Sequence, residues 1–115
     1  MKLIFAFFFI FLSIQANACD CDSIKGLKDA AVAFRGTVVK VQRIEYPYIH
    51  YEITFQIDKW QKGADKKKII VINTPCLSEI CCGIPFQIGE AYIVYAYEEE
   101  KQLNTNLCWA TEKIK

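Results

Sequence analysis

Histidine is nearly missing from this chain: His50 is the only one among 115 residues. It stands in a strand-like stretch far from every cysteine, which argues against zinc sites built from Cys and His. No serine, cysteine or carboxylate sits in a nucleophile context such as G-x-S-x-G, and no glycine-rich loop of the kind that cradles phosphate occurs. An enzyme is therefore not expected, and no cofactor is implied. Charge of one sign is lacking as well. The chain carries 14 Lys+Arg against 13 Asp+Glu, whereas a nucleic-acid protein would show a basic excess. The one basic run, Lys66-Lys67-Lys68, lies between two strand-like segments and reads as a solvated hairpin tip. Nucleic acid is not an expected partner.

Long apolar runs are missing too, with one exception at the start. Leu3 to Leu12 follows Lys2, carries no charge and holds five of the eight phenylalanines. It is too short to span about 30 Å of hydrocarbon, and no second apolar stretch supports a transmembrane segment. A basic start, a short apolar run and the small-residue step Ala16-Asn17-Ala18 predict a secretory signal peptide over residues 1–18. Cleavage at that step would leave one domain, residues 19–115, opening with Cys19 and secreted to an extracellular or periplasmic space. Without Lys2 that domain has 13 basic and 13 acidic residues.

Cysteine is what the domain has in plenty: Cys19, Cys21, Cys76, Cys81, Cys82 and Cys108. An even count in a short exported chain implies a disulfide framework, although spacing does not choose among the possible pairings. A metal site from Cys19-x-Cys21 and Cys81-Cys82 fits poorly, since zinc ligand pairs usually stand about two to four residues apart. A redox pair at Cys19-x-Cys21 lacks the βαβ surroundings of thioredoxin-like proteins.

The one helix-compatible stretch runs from Ser23 to Ala31; Ser23 could cap it and Gly26 weakens it, so one or two turns are expected. Val32 to Ile44 is rich in β-branched residues, with a bend or bulge expected at Gly36. Tyr46-Pro47-Tyr48 breaks that strand. Ile49, Tyr51, Ile53, Phe55 and Ile57 then alternate with His50, Glu52, Thr54, Gln56 and Asp58, which predicts one buried and one wet face, His50 being exposed. After a turn over Lys62 to Asp65, a third strand is expected over Lys68 to Asn73. An irregular loop from Thr74 to Glu90 follows, then strands over Ala91 to Tyr97 and Leu103 to Leu107, joined across Glu98 to Lys101. Five strands and one short helix predict a small, closed, antiparallel Greek-key barrel, all-β in class.

A chain opening Cys19-Asp20-Cys21 resembles the N-terminal domain of the tissue inhibitors of metalloproteinases, the inhibitory branch of the netrin-like domains. Further likeness comes in family order from Asp29 to Gly36, Asp58 to Gly63, Asn73-Thr74-Pro75, Cys82-Gly83, Gly89 to Ala96 and Leu103 to Cys108. The family's cysteine-rich second half is absent. The Ile- and Lys-rich composition suits a short, bacterial-type member.

The resemblance implies an OB-type five-stranded barrel and a set of bridges. Cys19 would pair with the cysteine of the Cys-Gly step, Cys82, and Cys21 with Cys108, leaving Cys76 to pair with Cys81. Counting from Thr74-Pro75 points to Cys81 as the partner of Cys19 instead; the glycine step favours Cys82, because a backbone-permissive glycine is harder to replace than a loop residue is to insert. In this family the free amine and carbonyl of the first cysteine chelate the catalytic zinc of a protease. The resemblance thus implies a zinc metalloproteinase partner, with Cys19 facing its metal and Asp20 entering its specificity pocket. Cys21, Asp22, Ser78, Glu79, Ile80 and Cys81 would rim the contact. The family usually has a small or hydroxyl residue where Asp20 stands, and an apolar residue or proline where Asp22 stands. A carboxylate in an apolar pocket is unfavourable, so either the target has a basic pocket or inhibition of ordinary matrix-type proteases is weak. A monomer is expected. Two other readings compete: a netrin-like protein-binding module that never touches zinc, and a lipoprotein acylated at Cys19. Ala16 stands where a lipobox usually has leucine, which disfavours acylation.

Overall fold

The β-branched run after residue 31 and the alternating run after residue 49 pair as the first hairpin of a sheet. The structure, a computed structural model, describes Cys19, Cys21 and residues 23–63 and 66–114. In it β1 (Val32–Ile44) lies antiparallel to β2 (His50–Lys62), and β2 to β3 (Ile69–Thr74). After a long loop, β4 (Ala91–Glu99) turns back into β5 (Gln102–Asn104), and a two-residue strand, β6 (Glu112–Lys113), pairs with β4. The order is β1-β2-β3-β5-β4-β6, and an added β1–β4 pairing closes five strands into a ring. The signal peptide expected over 1–18 lies outside the described residues, as do Asp20, Asp22, Ala64, Asp65 and Lys115.

Curvature lets β1 serve both neighbours. Its register with β2 shifts between Arg35 and Gly36, and a side chain at Gly36 would press on the Gln56 carbonyl at 3.0 Å and the Phe34 ring at 3.1 Å. The bend expected there is thus a bulge that curves the strand, while residues 33–37 pair with β2 on one edge and β4 on the other. Inside the ring, Phe34, Val38, Ile53, Phe55, Ile72 and Val94 are fully buried. Phe55 meets Phe34 and Phe86 edge-on, both at 5.3 Å between ring centres, and Phe86 meets Tyr92 at 4.7 Å. Phe86 and Ile84 come from the irregular loop, which therefore plugs the barrel as well as connecting two strands. Burying a side chain of this size contributes roughly 1.5–3 kcal/mol, so the ring interior is the main source of stability.

Four expectations are corrected. Gly26 to Ala30 forms a single turn, closed by Asp29 and Ala30 N–H groups on the Gly26 carbonyl, in place of a short helix. The flanking backbone is committed elsewhere: Lys25 bonds to Cys108 and Ala110, and Ala31 to Ala96. The ring is not wholly antiparallel, since β3 and β5 run parallel. The fifth strand stops at Asn104, because the Asn106 side chain accepts from Cys108 N–H at 2.8 Å and starts a turn. His50 is only 8% exposed. It keeps its place on the outer face, but the Tyr48 ring folds beside it, 5.0 Å between centres, and the Tyr48 carbonyl lies 3.0 Å from its Nδ1.

Candidate functional site

Three connections leave the ring at one end. β2 begins at His50, β3 ends at Thr74 opposite Tyr51, and β5 ends at Asn104 opposite Asn73. The β1–β2 tip, the loop after β3 and the segment after β5 therefore share that end.

The loop after β3 is closed by its own sequence. Cys76 and Cys81 are bridged, with Cα atoms 6.2 Å apart. Ser78 caps the 3-10 turn Glu79–Cys81: its hydroxyl accepts from Ile80 N–H at 3.3 Å. Its carbonyl accepts from Cys81 and Gly83 N–H groups at 3.3 and 3.0 Å. Cys82 takes a left-handed conformation, φ 65°, and donates to the Glu79 carbonyl at 3.2 Å. Gly83 follows, and a Cβ there would collide with the Cys76 carbonyl, so only glycine fits this close approach. The outcome is a firm ridge on which Ser78, Glu79, Ile80 and Cys81 are all exposed, Ile80 to 80%.

The N-terminal segment is stitched to this ridge. Cys19 is bridged to Cys82 and Cys21 to Cys108, with Cα separations of 5.3 and 5.4 Å. These are the pairs that the resemblance implies. The Cys19 sulfur also lies 3.6 Å from the Glu79 carbonyl; being bridged, it has no proton to donate. Leu107 N–H donates to the Cys82 carbonyl at 3.0 Å and so joins the two bridges. Lys25 N–H donates to the Cys108 carbonyl at 2.9 Å, and Ala110 N–H to the Lys25 carbonyl at 2.7 Å. No cysteine is left free.

Of the residues expected at the site, Cys19, Cys21, Ser78, Glu79, Ile80 and Cys81 thus belong to one stapled surface, whereas Asp20 and Asp22 lie outside the described residues. No family model matches the chain, and no curated protein matches it. Among the described residues, no three His, Cys, Asp or Glu side chains gather as a metal site. No helix among them is long and apolar enough to cross a membrane.

Two features of this end escaped the sequence reading. Tyr46, Tyr48 and Ile49 at the β1–β2 tip are exposed, Tyr46 to 86%. The Tyr-Pro-Tyr step was legible as a strand break; its signal as a surface is the aromatic pair flanking the proline. The second is a hollow of about 210 Å³ lined by Lys25, Tyr97, Asn106, Cys108 and Trp109. Tyr97 stacks on Trp109 with centres 5.3 Å apart, and the Lys25 ammonium lies 6.0 Å from the Trp109 ring. Burial raises the Tyr97 pKa above the ordinary tyrosine range and the charge of Glu99 adds to this, while a hydrogen bond from Asn106 opposes both.

Proposed function

We propose that the protein is a secreted inhibitor of zinc metalloproteinases, a non-enzymatic netrin-like domain with an OB-type barrel. The observation that carries this reading is the double anchoring of Cys19 and Cys21 against the exposed ridge from Ser78 to Cys81. Once the leader is removed, the α-amino group and carbonyl oxygen of Cys19 would be held beside a firm protein edge. An α-amino group has a pKa near 8, so a zinc ion readily captures its unprotonated form. The carbonyl completes a chelate and the pair displaces the protease's reactive water. Because the bridges already order the segment, little conformational freedom is lost on docking. Asp20 then meets the specificity pocket and sets which proteases are accepted. Ring closure through β1–β4, with β5 between β3 and β4, supports the OB-type reading.

A netrin-like binding module without zinc contact is the second reading, and the exposed Tyr46, Tyr48 and Ile49 favour it: apolar side chains at a loop tip suit protein docking that needs no amine. One change separates the two. Adding an alanine before Cys19 converts the chelating amine to an amide while the barrel and bridges persist, which circular dichroism and thiol titration check. Inhibition of zinc proteases is expected to fall by orders of magnitude. Equal inhibition by both forms rules out chelation, and none by either favours the binding module. N-terminal sequencing with intact mass establishes whether Cys19 is first in the chain and unacylated.

A further inference from the structure

Away from the stapled end, β3 and β5 leave an open seam between them. β3 and β5 pair only through Asn73 and Asn104, where Thr105 N–H donates to the Asn73 carbonyl at 2.9 Å. On its other edge β3 is paired with β2 along its whole length, from Ile69 opposite Gln56 to Thr74 opposite Tyr51. Backbone groups of successive strand residues face opposite edges. Those of Ile69 and Val71 therefore face the same way as those of Asn73, into the seam, where no described strand pairs with them. Their side chains are exposed.

A groove of about 320 Å³ follows this edge, bounded on the far side by Lys101, Gln102 and Leu103. Asn73 stands in its wall and is only 8% exposed. Its Nδ2 donates to Gln102 Oε1 at 3.3 Å, while its Oδ1 has no partner. Turning the amide over exchanges the two atoms and still leaves one unpaired. A buried amide atom in that state takes a hydrogen-bonding partner from whatever fills the groove, solvent or guest. Lys67 and Lys101 reach the groove against a single acid, Glu52, and Lys66 and Lys68 flank Lys67 in the chain.

We propose that this seam is a strand-addition site for an extended, acidic segment of a partner protein. An extended backbone offers donors and acceptors at the two-residue spacing that Ile69 and Val71 present, and it can satisfy Asn73 whichever way its amide is turned. The guest's apolar side chains would face inward beside Ile70 and Leu103, and its alternate, acidic ones would face outward, where the exposed Lys67 and Lys101 reach the groove. The site is separate from the Cys19 surface, so neither reading depends on the other.

The probe is a capped peptide of about eight alternating valines and glutamates, long enough to follow the edge. Binding is read by fluorescence anisotropy, and hydrogen exchange is read at the Ile69 and Val71 amides. The peptide is expected to slow exchange at both. N-methylating its β3-facing amides should abolish binding. Replacing its glutamates with lysines, or combining Lys67→Glu with Lys101→Glu in the protein, should weaken binding at least roughly tenfold. Both lysines are exposed, and an unchanged circular dichroism spectrum checks that the variant folds. The proposal is overturned by an absence of binding, by equal affinity for the N-methylated or lysine peptide, or by concentration-dependent protection without peptide, which would make a second copy the occupant.

Discussion

Inside the ring, Phe34, Ile53, Phe55, Ile72 and Val94 are fully buried and belong to one cluster; on the ridge, no residue of the Glu79–Cys81 turn is buried at all. Three bridges stand at that end where the barrel has a core. The contrast shows what cross-links make possible. A region held by burial must hide its side chains, whereas a region held by covalent bonds can present both backbone and side chains to a partner. Small domains use bridges where the core is too small to order every segment.

The strongest attack on this contrast is through the core. Phe55→Ala removes a ring that meets Phe34, Phe86 and Tyr92, and should destabilise the fold by about 3–5 kcal/mol in denaturant titration. Hydrogen exchange should accelerate together in β1, β2 and β4 while the bridges stay intact. A loss well under about 1 kcal/mol would mean that the ring is not held by this cluster. Next comes the staple. Replacing Cys21 and Cys108 with serine should lower stability by about 2–4 kcal/mol and loosen the amides of Lys25 and Ala110 first. If the β1–β4 ladder loosens equally, the two regions are one cooperative unit.

The smallest effect should come from Tyr97, which sits at the border, in β4 and against Trp109. Its pKa is raised by burial and by Glu99, so the folded state holds the proton more tightly than the unfolded chain. Its contribution is fully present below the ordinary tyrosine value and is lost as the pH rises through the folded value. Stability should therefore decline above about pH 10, a part of that decline being absent in Tyr97→Phe. Identical alkaline limbs in thermal melts of the two proteins would remove Tyr97 from the account.

β-branched content located β1, and period-two patterning located β2. β1 spans Val32–Ile44 as its β-branched run predicts, and Ile53 and Phe55 point inward as their alternation requires. The pattern misled at the ring's mouth. Ile49 has inward parity but lies before the first residue of β2, and is 54% exposed; His50 has outward parity and is covered by a neighbour. Alternation reports a face, and only tertiary packing decides what covers it. The β6 pairing, the Lys25–Trp109 bridge and the parallel β3–β5 contact involve one or two residues each, too few to leave a periodic signal. On the ridge, Gly83 was legible because close backbone approach leaves a residue type behind, whereas the exposure of the Tyr46–Ile49 tip depends on where the hairpin ends.

The separations of the bridged cysteines also set a timetable. Synthesis proceeds from the amino end, so Cys19 must wait for a partner made 63 residues later, and Cys21 for one made 87 residues later. Cys76 and Cys81, five apart, can close as soon as both exist. Until Cys82 is made, Cys19 and Cys21 are neighbouring thiols open to mispairing, Cys21 stays so until Cys108 is made, and uncatalysed rearrangement takes minutes to hours. The ridge can therefore close its own bridge and take up Cys19 before Cys108 exists to fix Cys21.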